Sequence, residues 1–201
     1  MPEFEILSRE TAYQGFFRVN RYRLRHSLFG GGWSEPMMRE LLERGHAVAV
    51  LLYDPLRDEV VLVEQFRIGA LDLEDGAWML EVVMGIIDDG ESLEEVAVRE
   101  SIEEAGCEIR RMEFIADFVL SPGGCSERMY LFVGEIDSSS AGGVFGLPHE
   151  GEDIRAAVYP ADEAIALLGL GKIRSATPVI ALQWLALHRE ELRERWGVGE
   201  S

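Results

Sequence analysis

Apolar and polar positions alternate with different periods along the chain. Phe16 to Phe29 alternates loosely, with Phe17, Val19, Tyr22 and Leu24 set among Arg18, Arg21, Arg23 and Arg25. This predicts a strand with one wet face, broken by Gly30-Gly31-Gly32. Residues 33–44 have an ambiguous period. Two apolar runs, His46 to Tyr53 and Glu59 to Phe66, flank Asp54-Pro55-Leu56-Arg57-Asp58, a hairpin pattern. Another strand is predicted from Trp78 to Ile87.

The clearest helix comes next. Ser92 followed by Glu95 is a capping box, and Gly106 is a fitting stop, so a helix is expected over 93–105. Strands follow at about 112–120 and 128–136, then a Ser-, Gly- and Pro-rich loop over 137–149. A short strand near 153–159 leads to helices at about 161–169 and 178–196. Interleaved strands and helices place the chain in the α/β or α+β class. Its 201 residues suit one domain, or one domain with a modest extension.

Charge narrows the range of functions. There are 37 acidic and 19 basic residues, a net charge of −18. That balance repels nucleic-acid backbones and anionic membranes, so neither is an expected partner. An anionic substrate would need divalent cations as intermediaries. No apolar run approaches the ~18 residues of a membrane span, and the acidic start Met1-Pro2-Glu3-Phe4-Glu5 is not a signal peptide. Cys107 and Cys125 form no spaced pattern and read as free thiols of a reducing, cytoplasmic compartment. The four histidines are scattered without zinc-like spacing, and Cys125 has no indicated His partner.

Candidate chemistry concentrates in the capped helix. At about 100° per residue, Val98, Ser101, Ile102 and Ala105 fall on one side, expected to pack on a sheet, while Glu100, Glu103 and Glu104 share another. From Asp88 to Glu104 there are eight acidic residues and one Arg, a net of −7. Carboxylates stacked at i, i+3 and i+4 repel one another unless water or a cation screens them. Three glutamates alone would read as a solvated face; as oxygen donors they suit Mg²⁺ or Mn²⁺.

The wider pattern favours the second reading. Gly85-Ile86-Ile87-Asp88-Asp89-Gly90-Glu91 is followed, seven residues later, by Arg99-Glu100-Ser101-Ile102-Glu103-Glu104-Ala105-Gly106-Cys107. This resembles the Nudix box, with all seven of its polar and glycine positions at the right spacing; Ser101 and Cys107 stand where aliphatic residues are usual. Gly85 lets the chain turn close to the site, Glu91 can brace the loop onto the helix, and Arg99 lies at i, i+4 from Glu103 and can orient it.

The resemblance extends to the bacterial ADP-ribose pyrophosphatase subfamily of Nudix hydrolases over essentially the whole chain. It is carried by Gly15-Phe16-Phe17, Arg39-Glu40 with Glu43-Arg44-Gly45-His46, and Val63-Glu64-Gln65-Phe66-Arg67. Further matches are Leu120-Ser121-Pro122-Gly123-Gly124 with Ser126-Glu127, Glu150-Gly151-Glu152-Asp153-Ile154, and Val179 to Leu185. Pro122, fifteen residues past the box, stands where this subfamily carries its marker proline.

The resemblance implies a Nudix α/β/α sandwich (residues 46–201) with a mixed central sheet, preceded by a β extension (residues 1–45) used in dimerisation. It implies a homodimer with exchanged N-terminal segments and hydrolysis of ADP-ribose to AMP and ribose 5-phosphate. Position by position, Met84 (through its carbonyl), Glu100, Glu103, Glu104 and Glu152 become metal ligands for Mg²⁺, for which Mn²⁺ can substitute. Phe16 resembles the aromatic that stacks on adenine, and Arg39 and Arg67 the arginines that hold phosphates and the terminal ribose; Pro122 and Gly123 join the substrate residues. Glu127, Glu150 and Glu152 resemble the late acidic residues near the metals, and with Glu103 make up the catalytic set. Either Glu150 or Glu152 orients or deprotonates the attacking water, Glu150 being favoured as base. The glycine-rich loop 137–149 is expected to move over the substrate. Two other readings stay open: hydrolysis of another nucleotide sugar, such as a different ADP-sugar or GDP-mannose, and a catalytically silent ADP-ribose sensor.

Overall fold

The computed structural model describes residues 1–197 and falls into two units. One is Met1–His46 with Phe118–Arg128; the other is Ala47–Asp117 with the chain from Met129 onward. In the first, β1 (Phe4–Gln14), β2 (Arg18–His26) and β3 (Met37–Glu43) form an antiparallel sheet in that order. Cross-strand ion pairs join its strands: Arg21 bonds Glu10 and Glu40, each at 3.1 Å, and Glu43 gathers Arg9 and Arg18. Such exposed pairs help set register and contribute at most about 1 kcal/mol each. Every residue of β1 is exposed, so no burial alternation marks that strand in the sequence. Residues 33–44 resolve into β3, while Phe16 and Phe17 sit in the turn before β2 rather than in a strand.

The second unit is built on β4 (Ala47–Asp54), whose eight residues are all buried. A continuously apolar strand requires cover on both faces. The Asp54 carboxylate accepts the Leu56 and Arg57 amides and so shapes the turn into β5 (Glu59–Phe66), as the hairpin pattern predicts. The expected strand 78–87 is two strands, β6 (Trp78–Glu81) and β7 (Val83–Ile86). β6 pairs with β5 and β7 with β4, so the chain changes partner at Val82. Helix α1 (Leu93–Ala105) comes next, then β8 (Arg111–Val119), β9 (Arg128–Glu135), β10 (Gly143–Phe145) and β11 (Ile154–Pro160). The sheet runs β10-β11-β5-β4-β9-β8, parallel between β4 and β9 and antiparallel where β5 meets β4 and β11.

Period two sorts the cover of β4. Val48, Val50 and Leu52 pack with Val61, Val63 and with Val96, Ala97 and Ala105 of α1. Tyr53, of opposite parity, meets Trp196 just beyond α3 (Ala176–Arg195), which packs with α2 (Ala161–Gly169). The result is the three-layer α/β/α arrangement, with α1 on one side and α2 and α3 on the other. Cys107 and Cys125 are free thiols, and no helix among the described residues is long and apolar enough to cross a membrane.

Candidate active site

Helix α1 starts as its sequence dictates. Ser92 Oγ accepts the Glu95 amide at 3.3 Å and the Glu95 carboxylate accepts the Ser92 amide at 2.8 Å; Gly106 ends the helix in the left-handed region at φ 62°. The buried face is not the expected one. Val96, Ala97, Ser101, Glu104 and Ala105 are buried, whereas Val98 and Ile102 are exposed. Small residues at 97, 101 and 105 let the helix approach the sheet closely, and Ser101 satisfies its hydroxyl on the Ala97 carbonyl at 2.6 Å. That close approach carries Glu104 into the interior.

Gly85 also differs from expectation. It lies inside β7 rather than in a turn, and a Cβ there would stand 1.7 Å from Glu100 Oε1. The glycine therefore makes room for a carboxylate. Arg99 gathers the acidic face: its Nε donates to Glu91 at 2.9 Å, and Nη1 donates to Glu100 at 2.6 Å and to Glu103 at 3.1 Å. Glu91 also accepts the Asp88 amide at 3.2 Å, which braces the loop onto the helix. The Arg99 contact draws the half-buried Glu91 carboxyl below its usual pKa.

Glu104 is the most enclosed of these acids, 2% exposed. Its carboxylate accepts the Met84 amide at 3.0 Å and the Gln65 side-chain amide at 3.3 Å. Burial, reinforced by the neighbouring Glu100 charge, pushes its pKa up to about 8 against the pull of these bonds and of Arg67. Burial also raises Glu100, with Glu103 and Glu152 adding repulsion against the pull of Arg99. Met84, Glu100, Glu103, Glu104 and Glu152 are thus drawn together in the second unit, Met84 holding Glu104 through its N–H.

Arg67 is extended at the end of β5, where its Nε donates to Glu81 at 2.7 Å. Glu81 and Gln65 were not singled out from the sequence. The usable signal was polar residues at inward-facing positions of strands, in the run Val61-Val63-Gln65 and opposite Val63 in β6.

The loop 137–149 is more tightly held than expected. Ser138 bonds the buried Asp54, β10 pairs with β11, Phe145 packs into the core, and the Gly146 amide bonds the Glu103 carbonyl at 3.0 Å. Pro148–Glu150, which follows, is an exposed 3-10 turn without a side-chain cap, closed by the Glu150 amide on the Leu147 carbonyl at 2.9 Å. Glu152 is fastened by the Leu147 amide at 3.1 Å and acts on Glu100, whereas the Glu150 side chain is 55% exposed beside His149.

Phe16, Arg39, Pro122, Gly123 and Glu127 belong to the first unit. Phe16 is 88% exposed and meets Phe17 edge-on at 4.9 Å. Arg39, on β3, is exposed and donates to the Met38 carbonyl at 2.8 Å. Pro122 and Gly123 form an exposed turn. Glu127 is buried and paired with Arg44 at 3.3 Å, and Arg44 lies over the Phe17 ring.

Among the described residues, no three His, Cys, Asp or Glu side chains form a ready-made metal cage. The donors nonetheless fit a hard divalent ion: clustered carboxylate oxygens whose mutual repulsion a cation would relieve. Mg²⁺ characteristically takes one or two carboxylates and completes its shell with water and substrate phosphate.

Comparison with known proteins agrees with this geometry. The NUDIX domain family matches residues 43–181. The chain belongs to the Nudix family. It is 50% identical over 194 residues to a protein of Escherichia coli K12 named ADP-ribose pyrophosphatase, covering 96% of this chain and 93% of that one. A Haemophilus influenzae protein of the same name is 44% identical, covering 96% and 91%. A GDP-mannose pyrophosphatase of Pectobacterium atrosepticum is 33% identical, covering 89% and 92%. A solved structure titled an ADP compounds hydrolase shares the fold with a TM-score of 0.72 at 22% identity, over 98% of this chain and 97% of that one.

Proposed function

We propose that this protein hydrolyses the diphosphate of ADP-ribose to AMP and ribose 5-phosphate with the help of Mg²⁺, for which Mn²⁺ can substitute. The observation that carries the reading is the carboxylate cluster on α1, seated against Gly85 and Met84 inside a Nudix box whose polar and glycine positions are all present. The choice of ADP-ribose rests on identity of 50% and 44% to proteins of that name, against 33% for the GDP-mannose pyrophosphatase.

Glu100, Glu104 and Glu152 would hold the ion, with Glu103 and the Met84 carbonyl completing the set. Bound there, the ion would neutralise the diphosphate and make water easier to deprotonate. Arg99 holds Glu100 and Glu103 in place, while the Met84 amide and Gln65 fix the rotamer of Glu104. Arg67 and Arg39 supply guanidinium groups suited to phosphate oxygens. Phe16 offers an exposed ring for adenine, a contact worth roughly 1–3 kcal/mol. Glu150 serves as base: its exposed carboxylate on a surface turn suits a group that takes a proton from water and then releases it. Glu127 acts through Arg44. The N-terminal β extension, residues 1–45, serves dimerisation, a role for which the fully exposed β1 is available. The two free thiols suit the cytoplasm.

A substrate panel tests this reading. With Mg²⁺, ADP-ribose is expected to show the highest kcat/KM among ADP-sugars and GDP-mannose, yielding AMP and ribose 5-phosphate. Preference for another diphosphate would move the specificity; tight ADP-ribose binding without turnover of any substrate would make the protein a sensor.

A further inference from the structure

Strand alternation places Val63, Gln65 and the extended Arg67 on one face of β5, and the register Val63↔Glu81 brings Glu81 of β6 to the same face. Gln65 on that face bonds Glu104 at 3.3 Å, so Arg67 stands beside the acidic cluster. Glu81 is 4% exposed, and its carboxylate bonds Arg67 Nε at 2.7 Å. A buried carboxylate at a strand end contributes little net stability compared with an apolar residue of its size. Its placement has a geometric consequence instead. A guanidinium has five N–H donors in a planar fork. Glu81 takes the one on Nε, and the two terminal nitrogens of Arg67 make no hydrogen bond among the described residues.

We propose that Glu81 is a positioning residue for substrate binding: it clamps Arg67 by Nε so that the paired terminal nitrogens stay turned to the substrate's phosphate oxygens. The inference rests on the reading of Arg67 as a substrate arginine. The Glu81 carboxylate fixes the guanidinium plane and keeps it from folding onto the nearby carboxylates, which compete for it. Its effect belongs to substrate affinity rather than to the chemical step.

The test is steady-state kinetics on ADP-ribose at saturating Mg²⁺ for Glu81→Gln, Arg67→Ala and the double variant. Glu81→Gln keeps the volume and an acceptor oxygen and removes the charge. It is expected to raise KM about tenfold while kcat moves less than about twofold, and the double variant is expected to be no worse than Arg67→Ala alone. If Arg67→Ala raises KM and Glu81→Gln does not, the clamp is overturned and Arg67 remains a substrate arginine. If Arg67→Ala leaves KM unchanged, the assignment of Arg67 fails and takes the clamp with it. A drop in kcat equal to the change in kcat/KM would overturn the positioning role. Should Glu81→Gln not fold, Glu81→Asp, which keeps the charge but withdraws it by one methylene, takes its place: a raised KM supports the clamp and a normal KM refutes it.

Discussion

Glu104 and Glu150 are both carboxylates of the second unit, and their surroundings differ in almost every respect. Glu104 sits in the last turn of α1, enclosed, held by a main-chain amide and a buried glutamine, with its pKa pushed up to about 8. Glu150 ends a three-residue 3-10 turn, with its side chain largely in water and His149 at 3.7 Å. A site that holds a cation needs fixed, crowded acids; a group that exchanges protons with water needs access and freedom. On the proposed roles, the first is met by a helix pressed onto a sheet and the second by an exposed turn.

The most severe test of this contrast is Glu104→Gln. Turnover should fall on the order of a thousandfold, the rate equivalent of about 4 kcal/mol of lost charge stabilisation, while circular dichroism stays that of the folded protein. Near-normal turnover would remove Glu104 from the metal site. Glu150→Gln should lower kcat by about a hundredfold and leave the Mg²⁺ concentration for half-activation unchanged. Glu152→Gln should instead raise that concentration. An exchange of these two signatures would reverse the roles assigned to the pair.

A milder change sharpens the same contrast. Gly85→Ala places a methyl against the flexible end of Glu100, so the carboxylate must move while the backbone need not. About a tenfold rise in the Mg²⁺ requirement is expected with little change in melting temperature, measured by titration and thermal unfolding. An unchanged Mg²⁺ requirement would show that Glu100 does not need this space.

A separate effect is on stability. Glu104 has a folded pKa near 8 against about 4.5 when unfolded. The folded state therefore binds the extra proton between these values, and stability falls as pH rises through that window. In chelator, the melting temperature should decline from pH 4.5 to 8, and Glu104→Gln should flatten the decline. A wild-type profile that rises through the same window would contradict the burial argument.

Much of this was legible in the sequence, for identifiable reasons. The capping box at Ser92, the Asp54 turn and the period of the last two helices are local signals, and each element formed within a few residues of its expected limits. β1 was hidden because none of its residues is buried, and the break at Val82 because apolar character continues through a change of strand partner. The box singled out Glu100, Glu103 and Glu104 by spacing, but the helix face was misjudged because small residues, not Val98 and Ile102, make the close contact. Gln65 and Glu81 act only through tertiary pairing, so the signal the chain carried for them was polar character at inward-facing strand positions.

The most direct measurement of the central claim is product analysis of ADP-ribose incubated with purified protein stripped by EDTA and then reconstituted with Mg²⁺. The account predicts no AMP or ribose 5-phosphate from the stripped protein and full recovery of both on adding Mg²⁺. Substantial hydrolysis in EDTA would contradict it.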